Sequence, residues 1–266
     1  MEIQVLTHND LGLITDLQPI GWPDILPAIS NYVHSPNCFP VKVISNNIII
    51  GIGTTIIHKD TAWLGHIIVH PLYRNGGIGR LITQKLVKSL FDKNIGTIYL
   101  IATDLGQPVY EKIGFLVETE YLFFKDFKID KSIGVSNNIV PFTDEYKTQI
   151  LNLDFKVSGE KRSDLIEPNL AQSFVYLNGE IVEGFYLPTL GEGVVIANKN
   201  NAGIELMKLR MTTKDNISFP IDNKEAQDFM YQNNYKEFKT AKRMRLGIKR
   251  WWEPKNIYNR IGGNLG

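Results

Sequence analysis

The residues whose types and spacing suggest chemistry lie in two short stretches. In the first, Arg74-Asn75-Gly76-Gly77-Ile78-Gly79-Arg80 follows an apolar run, Ile67-Ile68-Val69, that is stopped by His70-Pro71. Leu81, Ile82, Leu86, Val87 and Leu90 then recur at helical spacing, so the stretch reads as strand, glycine-rich turn and helix. Glycine lets a backbone take positive φ and approach a ligand closely. The first N–H groups of a helix lack internal partners and carry the positive end of its dipole. Together these make a site for an anion, most often a phosphate. The second stretch, Tyr110-Glu111-Lys112-Ile113-Gly114-Phe115, is a helix end. Its glycine suits a left-handed cap, and its phenol can carry a proton.

Two phosphate-binding loops are excluded on residues. A Walker A loop needs Lys-Ser or Lys-Thr after its last glycine, and Arg80-Leu81 stand there. A dinucleotide fingerprint needs a third glycine where Ile82 stands. A nucleotide-binding protein would therefore require ATP or NAD to compete for a loop that matches neither pattern. What remains is Arg74-x-x-Gly77-x-Gly79, preceded by Val69-x-Pro71-x-Tyr73. This resembles the acetyl-coenzyme A loop of the GNAT superfamily of N-acetyltransferases, and Tyr110-x-x-x-Gly114-Phe115 resembles that superfamily's second motif.

The resemblance implies a set of roles. The backbone N–H groups of Asn75, Gly76, Gly77, Ile78, Gly79 and Arg80 would receive the pyrophosphate of acetyl-coenzyme A, with Arg74 nearby. The strand Ile67-Ile68-Val69 would splay from its neighbour, and the main-chain N–H of Ile67 or Val69 would face the acetyl oxygen, where negative charge grows. Tyr110 would protonate the departing thiolate. An amine must attack in its neutral form, although a lysine-like amine has a pKa of about 10.4, so family members use a base, often on this strand. Strict alternation puts Trp63, Gly65 and Ile67 on one face and His66 and Ile68 on the other. His66 then points away from the reacting face unless a bulge shifts the register. Base and structural histidine both stay open for it. Trp22 and Asp24 lie in the segment that covers the acceptor site in this fold; they either shape a substrate pocket or anchor a loop.

The chain has 266 residues, 43% of them hydrophobic, and a net charge of +1. That supplies core for one large or two modest domains and argues against a broad nucleic-acid footprint. The one cysteine, Cys38, rules out an internal disulfide and a multi-cysteine metal site, and lies in neither motif, against a covalent cysteine route. No apolar run approaches the roughly 18 residues of a membrane span, and the first residues, Met1 to Asp10, carry no signal-peptide pattern. A soluble cytoplasmic protein is expected. In order, the first half reads as a strand at Ile3–Leu6, a helix through Leu13, Ile14 and Leu17, and a helix from Ile25 to Val33. A hairpin (39–44 and 48–56), the strand–loop–helix, a strand at 97–102 and a short helix into Gly114 follow. This is the element order of the GNAT fold.

The second half repeats the first. Ile3 to Leu17 can be laid on Ile139 to Leu153, so that Thr7 falls on Thr143, Ile14 on Ile150 and Leu17 on Leu153. A second hairpin (174–177 and 181–187), a strand (194–197), a helix with Ala202, Leu206 and Leu209, a strand (217–219) and a shadow of the second motif follow. In the shadow Met230 replaces Tyr110 and Asn234 replaces Gly114, and the loop from Asn198 to Gly203 lacks the Arg-x-x-Gly-x-Gly pattern. A tandem is expected, with residues 1–135 the acetyl-coenzyme A-binding domain and 136–266 a degenerate copy. The join is placed at Lys128–Lys131 and Ser136-Asn137-Asn138. Residues 118–127 are expected to close the first copy and 244–252 the second. Leu153-Asp154, Gly159, Arg162, Arg243-Met244, Gly247 and the run Tyr258 to Gly266 resemble two-part acetyltransferases with a C-terminal domain of the YitH type. Asp154 either pairs with Arg162 or faces an amine substrate. Arg243, Arg245, Lys249 and Arg250 beside Trp251-Trp252 read as a solvated strand face.

The expected fold class is therefore α+β: a tandem GNAT fold of mixed, mostly antiparallel twisted sheets flanked by helices. The expected function is transfer of the acetyl group of acetyl-coenzyme A to a small-molecule or peptide amine by direct attack, without metal, nucleic acid or membrane. The alternative is a non-catalytic acetyl-coenzyme A sensor, which the missing base favours and Tyr110 disfavours.

Overall fold

A computed structural model of the chain describes residues 1–127 and 134–266. Its strands are β1 (Glu2–Val5), β2 (Cys38–Ser45), β3 (Ile48–His58), β4 (Thr61–Val69), β5 (Thr97–Ala102), β6 (Leu116–Lys125), β7 (Ile139–Pro141), β8 (Phe174–Asn178), β9 (Ile181–Leu187), β10 (Val194–Ala197), β11 (Asn216–Pro220), β12 (Lys239–Gly247) and β13 (Ile257–Asn259). Its helices are α1 (Leu26–His34), α2 (Ile78–Phe91), α3 (Gln107–Glu111), α4 (Lys147–Ser158), α5 (Ser163–Ile166), α6 (Asn200–Met211) and α7 (Lys224–Gln232). Two compact units result: one of Met1–Leu116, Met244–Ile248 and Gly263–Leu265, the other of Val117–Arg243, Lys249–Gly262 and Gly266.

In unit 1 the strands run β1-β2-β3-β4-β5. The first four pair antiparallel, and β5 joins β4 in parallel after the crossover through α2. The β2–β3 hairpin turns through Asn46 and Asn47 at φ 49° and 63°, the paired left-handed residues that a two-residue turn requires. One sheet face packs Ala62, Leu64, Ile98 and Leu100 against Ile78, Ile82, Leu86 and Leu90 of α2. The other packs Ile52, Ile56 and Ile68 against Ile29 and Tyr32 of α1 and Leu6, Ile14 and Leu17. The helix expected through Leu13 to Leu17 is two 3-10 turns, His8–Leu13 and Thr15–Leu17. Asp10 explains the difference. Its carboxylate accepts the Thr7 N–H at 2.7 Å and the buried Lys42 ammonium at 2.5 Å, which ties the first turn to β2, and Gly12 weakens any helix beyond it.

Unit 2 holds a sheet in the order β13-β10-β9-β8-β7, with β6 and β11 paired antiparallel through Ile217 and Phe124. The closing strands depart from expectation. Residues 117–125 of β6 belong to unit 2, whereas Met244–Ile248 belongs to unit 1. There Met244 is fully buried in the core under α2, and the Thr97 hydroxyl donates to the Ile248 carbonyl at 2.9 Å. The strand expected at 244–252 is β12, and it ends at Gly247. Of the join, residues 128–131 lie outside the described residues.

Met244→Ala should leave a cavity in the core of unit 1 and cost about 2–5 kcal/mol, read as a lowered midpoint in urea unfolding. An unchanged midpoint would show that the strand end does not complete that core.

Candidate functional site

Local geometry follows from the glycine loop. After β4, Pro71–Tyr73 form a 3-10 turn whose first N–H, that of Leu72, is accepted by His70 Nδ1 at 3.3 Å. The chain then turns left-handed twice, at Asn75 (φ 63°) and at Gly77 (φ 78°), which caps α2. A side chain at 77 would be strained in that conformation. The first bond of α2 runs from Leu81 N–H to the Gly77 carbonyl at 2.9 Å, so the N–H groups of Ile78, Gly79 and Arg80 precede it and point out of the helix end. Arg74 is anchored by a bond from Nε to the Val69 carbonyl at 3.2 Å and is otherwise exposed.

The strand before the loop opens a cleft. Parallel pairing of β4 with β5 stops at Trp63 and Tyr99, and residues 64–69 have no β5 partner. His70 N–H bonds the Ile50 carbonyl at 2.9 Å, and Ile68 stands opposite Ile52, so alternation turns the Val69 N–H away from β3, toward the open side. Ile68 instead directs its main chain to β3 and its side chain into the α1-side core. The strict alternation of the strand fails at His66. The register with β3 shifts between Ile52 and Thr54, and His66 holds φ 48°: a bulge, with a non-glycine residue in its left-handed position. Its effect is to put Gly65 and His66 on the α1 side, while Leu64, Ile67 and Val69 pack on the α2 side.

Tyr110 comes from α3 and is buried in the cluster that holds Ile78 and against which Ile67 and Val69 pack. Its ring meets Phe115 edge-on at 6.0 Å. Burial pushes its phenol up to about 12, so it keeps its proton throughout the ordinary pH range. Strand, loop and Tyr110 thus share one side of the sheet. Across the cleft, on the α1 side, Tyr32 Oη lies 2.9 Å from His66 Nδ1, and the Asn264 amide donates to the same hydroxyl. Trp22 meets the His66 ring edge-on at 6.2 Å. Asp24 is exposed and accepts the Leu26 N–H, at the start of α1, at 2.9 Å. Burial pushes His66 down to about 4, with no charged neighbour contributing. Tyr32 and Asn264 were not singled out in the sequence. A tyrosine at core spacing on an amphipathic helix carries no distinguishing signal, and Asn264 is far from it along the chain.

In unit 2, β10 has antiparallel partners on both sides. β13 pairs antiparallel with β10 and bonds β11, through Ser218 N–H to Asn259 Oδ1 at 2.9 Å and Arg260 N–H to the Ser218 carbonyl at 3.0 Å. The Tyr258 ring lies against Gly203, where any Cβ would collide with it. Asp154 is bound by Arg162, with Nη2 at 2.8 Å and both side chains 3% exposed; the pairing alternative holds, and its carboxylate is engaged. The solvated face expected for the basic cluster is a correction too. Arg243 is 2% exposed, lies 3.9 Å over the Trp252 ring and pairs with Glu118 at 3.1 Å. Among the described residues no group of His, Cys, Asp or Glu is arranged to hold a metal, and no helix is long and apolar enough to cross a membrane.

Comparison with known proteins places this geometry. Residues 13–115 match the acetyltransferase (GNAT) family. A stretch of 77 residues is 36% identical to the ribosomal protein bS18-alanine N-acetyltransferase of Haemophilus influenzae, covering 28% of this chain and 53% of that protein. Another, of 111 residues, is 27% identical to the mouse Cysteine-rich protein 2-binding protein, covering 41% of this chain and 14% of that one. The chain therefore spans only part of the length of these relatives. A candidate acetyltransferase from Pyrococcus horikoshii superposes with a TM-score of 0.81 at 20% identity over 100% of this chain and 95% of its own. A tandem GNAT protein of the clavulanic acid biosynthesis pathway does so at 0.60 and 13%, over 92% and 98%. The fold is thus of the GNAT type, a mixed α/β arrangement of open twisted sheets flanked by helices.

The depressed His66 has a consequence for stability. The unfolded chain binds this proton near the ordinary value of 6.5, the folded chain only near 4. The contribution is complete above pH 6.5 and is lost as pH falls toward 4. His66→Gln should flatten that part of the stability-versus-pH curve in urea titrations; an unaltered slope would show that His66 is not held neutral by the fold.

Proposed function

We propose that this chain, whose residues 13–115 form a domain of the acetyltransferase (GNAT) family, is an acetyl-coenzyme A-dependent N-acetyltransferase acting by direct amine attack. The observation that carries the reading is the Arg74–Arg80 loop at the start of α2, beside the point where β4 leaves β5, with Tyr110 in the same packed cluster. Acetyl-coenzyme A would supply the activated thioester. The N–H groups of Asn75 to Arg80 would hold its pyrophosphate, with Arg74 close by. The N–H of Val69 or Ile67 would meet the carbonyl oxygen as charge develops on it. The amine nitrogen bonds the acetyl carbon, the carbon–sulfur bond breaks, the thiolate takes the Tyr110 proton, one proton leaves the nitrogen to water, and water returns a proton to the Tyr110 phenolate. The Haemophilus relative is named for an alanine acceptor; for this chain the acceptor class is an amine.

We further assign residues 1–135 and 136–266 to two copies of one fold, the second of them not binding acetyl-coenzyme A. Supporting this, its loop lacks the arginine and glycines, Met230 stands at the tyrosine position, β13 pairs along β10, and the Tyr258 ring packs on Gly203. The competing reading, a sensor without turnover, draws on the lack of a strong base.

Three measurements test the reading. In a thiol-release assay with a panel of amines, Tyr110→Phe should lower kcat by about 10²-fold or more while acetyl-coenzyme A binding holds; binding without turnover in the unaltered protein would favour the sensor. Gly77→Val should weaken acetyl-coenzyme A about tenfold or more through strain at a left-handed residue, and equal affinity would remove the loop from the site. With Tyr110 protonated up to about pH 12, kcat/KM should climb with pH along the acceptor amine's own titration, and a fall below about pH 10 would contradict Tyr110 as the acid.

A further inference from the structure

We propose that the acceptor is an α-amine next to a carbonyl, as at the N-terminus of a peptide or in an α-amino amide, and that Nε2–H of His66, oriented by Tyr32 and Asn264, holds that carbonyl. The proposal deepens the acetyltransferase reading and rests on it. It begins with the bulge. A left-handed histidine inside a strand is a costly conformation, and here it turns His66 out of its alternation and onto the α1 side of the cleft. The loop and Tyr110 lie on the α2 side. An amine reaching the acetyl carbon from the opposite side therefore passes His66, Tyr32 and Trp22.

The hydrogen bonds suit one tautomer of the histidine. Asn264 Nδ2 donates to Tyr32 Oη. With that amide on one lone pair, we assign the Tyr32 proton to His66 Nδ1, 2.9 Å away, which puts the ring's own proton on Nε2. Among the described residues Nε2 has no protein partner, and the ring is half-buried. His66 thus keeps a donor with no protein partner among the described residues, which suits a carbonyl oxygen and does not suit a general base. Asn264 is itself packed on the strand: a Cβ at Gly65 would lie 2.6 Å from the Asn264 Cβ, so glycine at 65 is what admits it.

The same surroundings disfavour a polycation. Tyr32, Trp22 and Asn264 are uncharged, so none of the three side chains around His66 would hold a second ammonium. A site without a strong base also suits an amine that is already partly neutral. An α-amine, of pKa about 7.7–8.0, is neutral in roughly one molecule in ten at pH 7, a lysine-like amine in about one in 2,500.

The test measures acetylation of alaninamide, Nα-acetyl-lysinamide and spermidine by the full chain, each kcat/KM referred to the unprotonated amine. His66→Ala and Asn264→Asp are measured beside it, and the His66 tautomer is read by nitrogen-15 NMR. Alaninamide should be preferred at least tenfold, and both variants should lose that preference through KM. The unaltered protein should show the Nε2–H form. In Asn264→Asp the introduced carboxylate should take the Tyr32 proton and switch His66 to Nδ1–H. Preference for spermidine or the lysine amine, an unchanged preference in His66→Ala, or an Nδ1–H ring in the unaltered protein would overturn the proposal while leaving the acetyltransferase reading standing. No turnover of any amine, with no binding of acetyl-coenzyme A, would overturn both.

Discussion

The parting of β4 from β5 is the constraint on which the rest of unit 1 depends. Parallel pairing ends at Trp63 and Tyr99, and beyond that point β4 has hydrogen-bonding groups on one side only satisfied by β3. An open strand edge inside a domain is costly unless something uses it. Here the chain makes use of it twice. Val69 presents its carbonyl to Arg74, which ties the loop to the strand end, and its N–H is left facing the cleft. The His66 bulge then offsets the strand by one residue, so that the two sides of the cleft receive different chemistry.

That division explains the arrangement of the helices. α2 brings a left-handed cap and a run of outward N–H groups to one side, buttressed by Ile78, Ile82 and Leu86. α1 brings Tyr32 to the other, over an independent apolar cluster. Unit 2 has the same kinds of elements but resolves its strand edge differently. β13 occupies it, fixed by Asn259, whose amide donates to the Gly193 carbonyl at 2.8 Å, and by Tyr258 against Gly203. One unit leaves that edge open, and the other covers it with its own chain.

Much of this was legible in residue types. The loop, its helix and the hairpin follow from glycine spacing and apolar periodicity, because those patterns are local, whereas Tyr110 stood out through resemblance to a family motif. What escaped the sequence was non-local. The bulge at His66 depends on pairing with β3, and period-two reasoning puts the wrong residues together there. The exchange of β6 and the end of β12 between units leaves no trace in either strand, since both read as ordinary closing strands. Asn264 and Tyr32 meet across most of the chain's length. Arg243 looks solvated until Trp252 and Glu118 are seen around it.

The central claim is that one copy keeps a working acetyl-coenzyme A site and the other has filled its own. Calorimetric titration of the full chain with acetyl-coenzyme A measures this directly as a stoichiometry. One molecule bound per chain, abolished by replacing both Gly77 and Arg74 with bulkier or uncharged residues, is the predicted result. Two molecules per chain would contradict the filled second site, and none, in folded protein, would contradict the first.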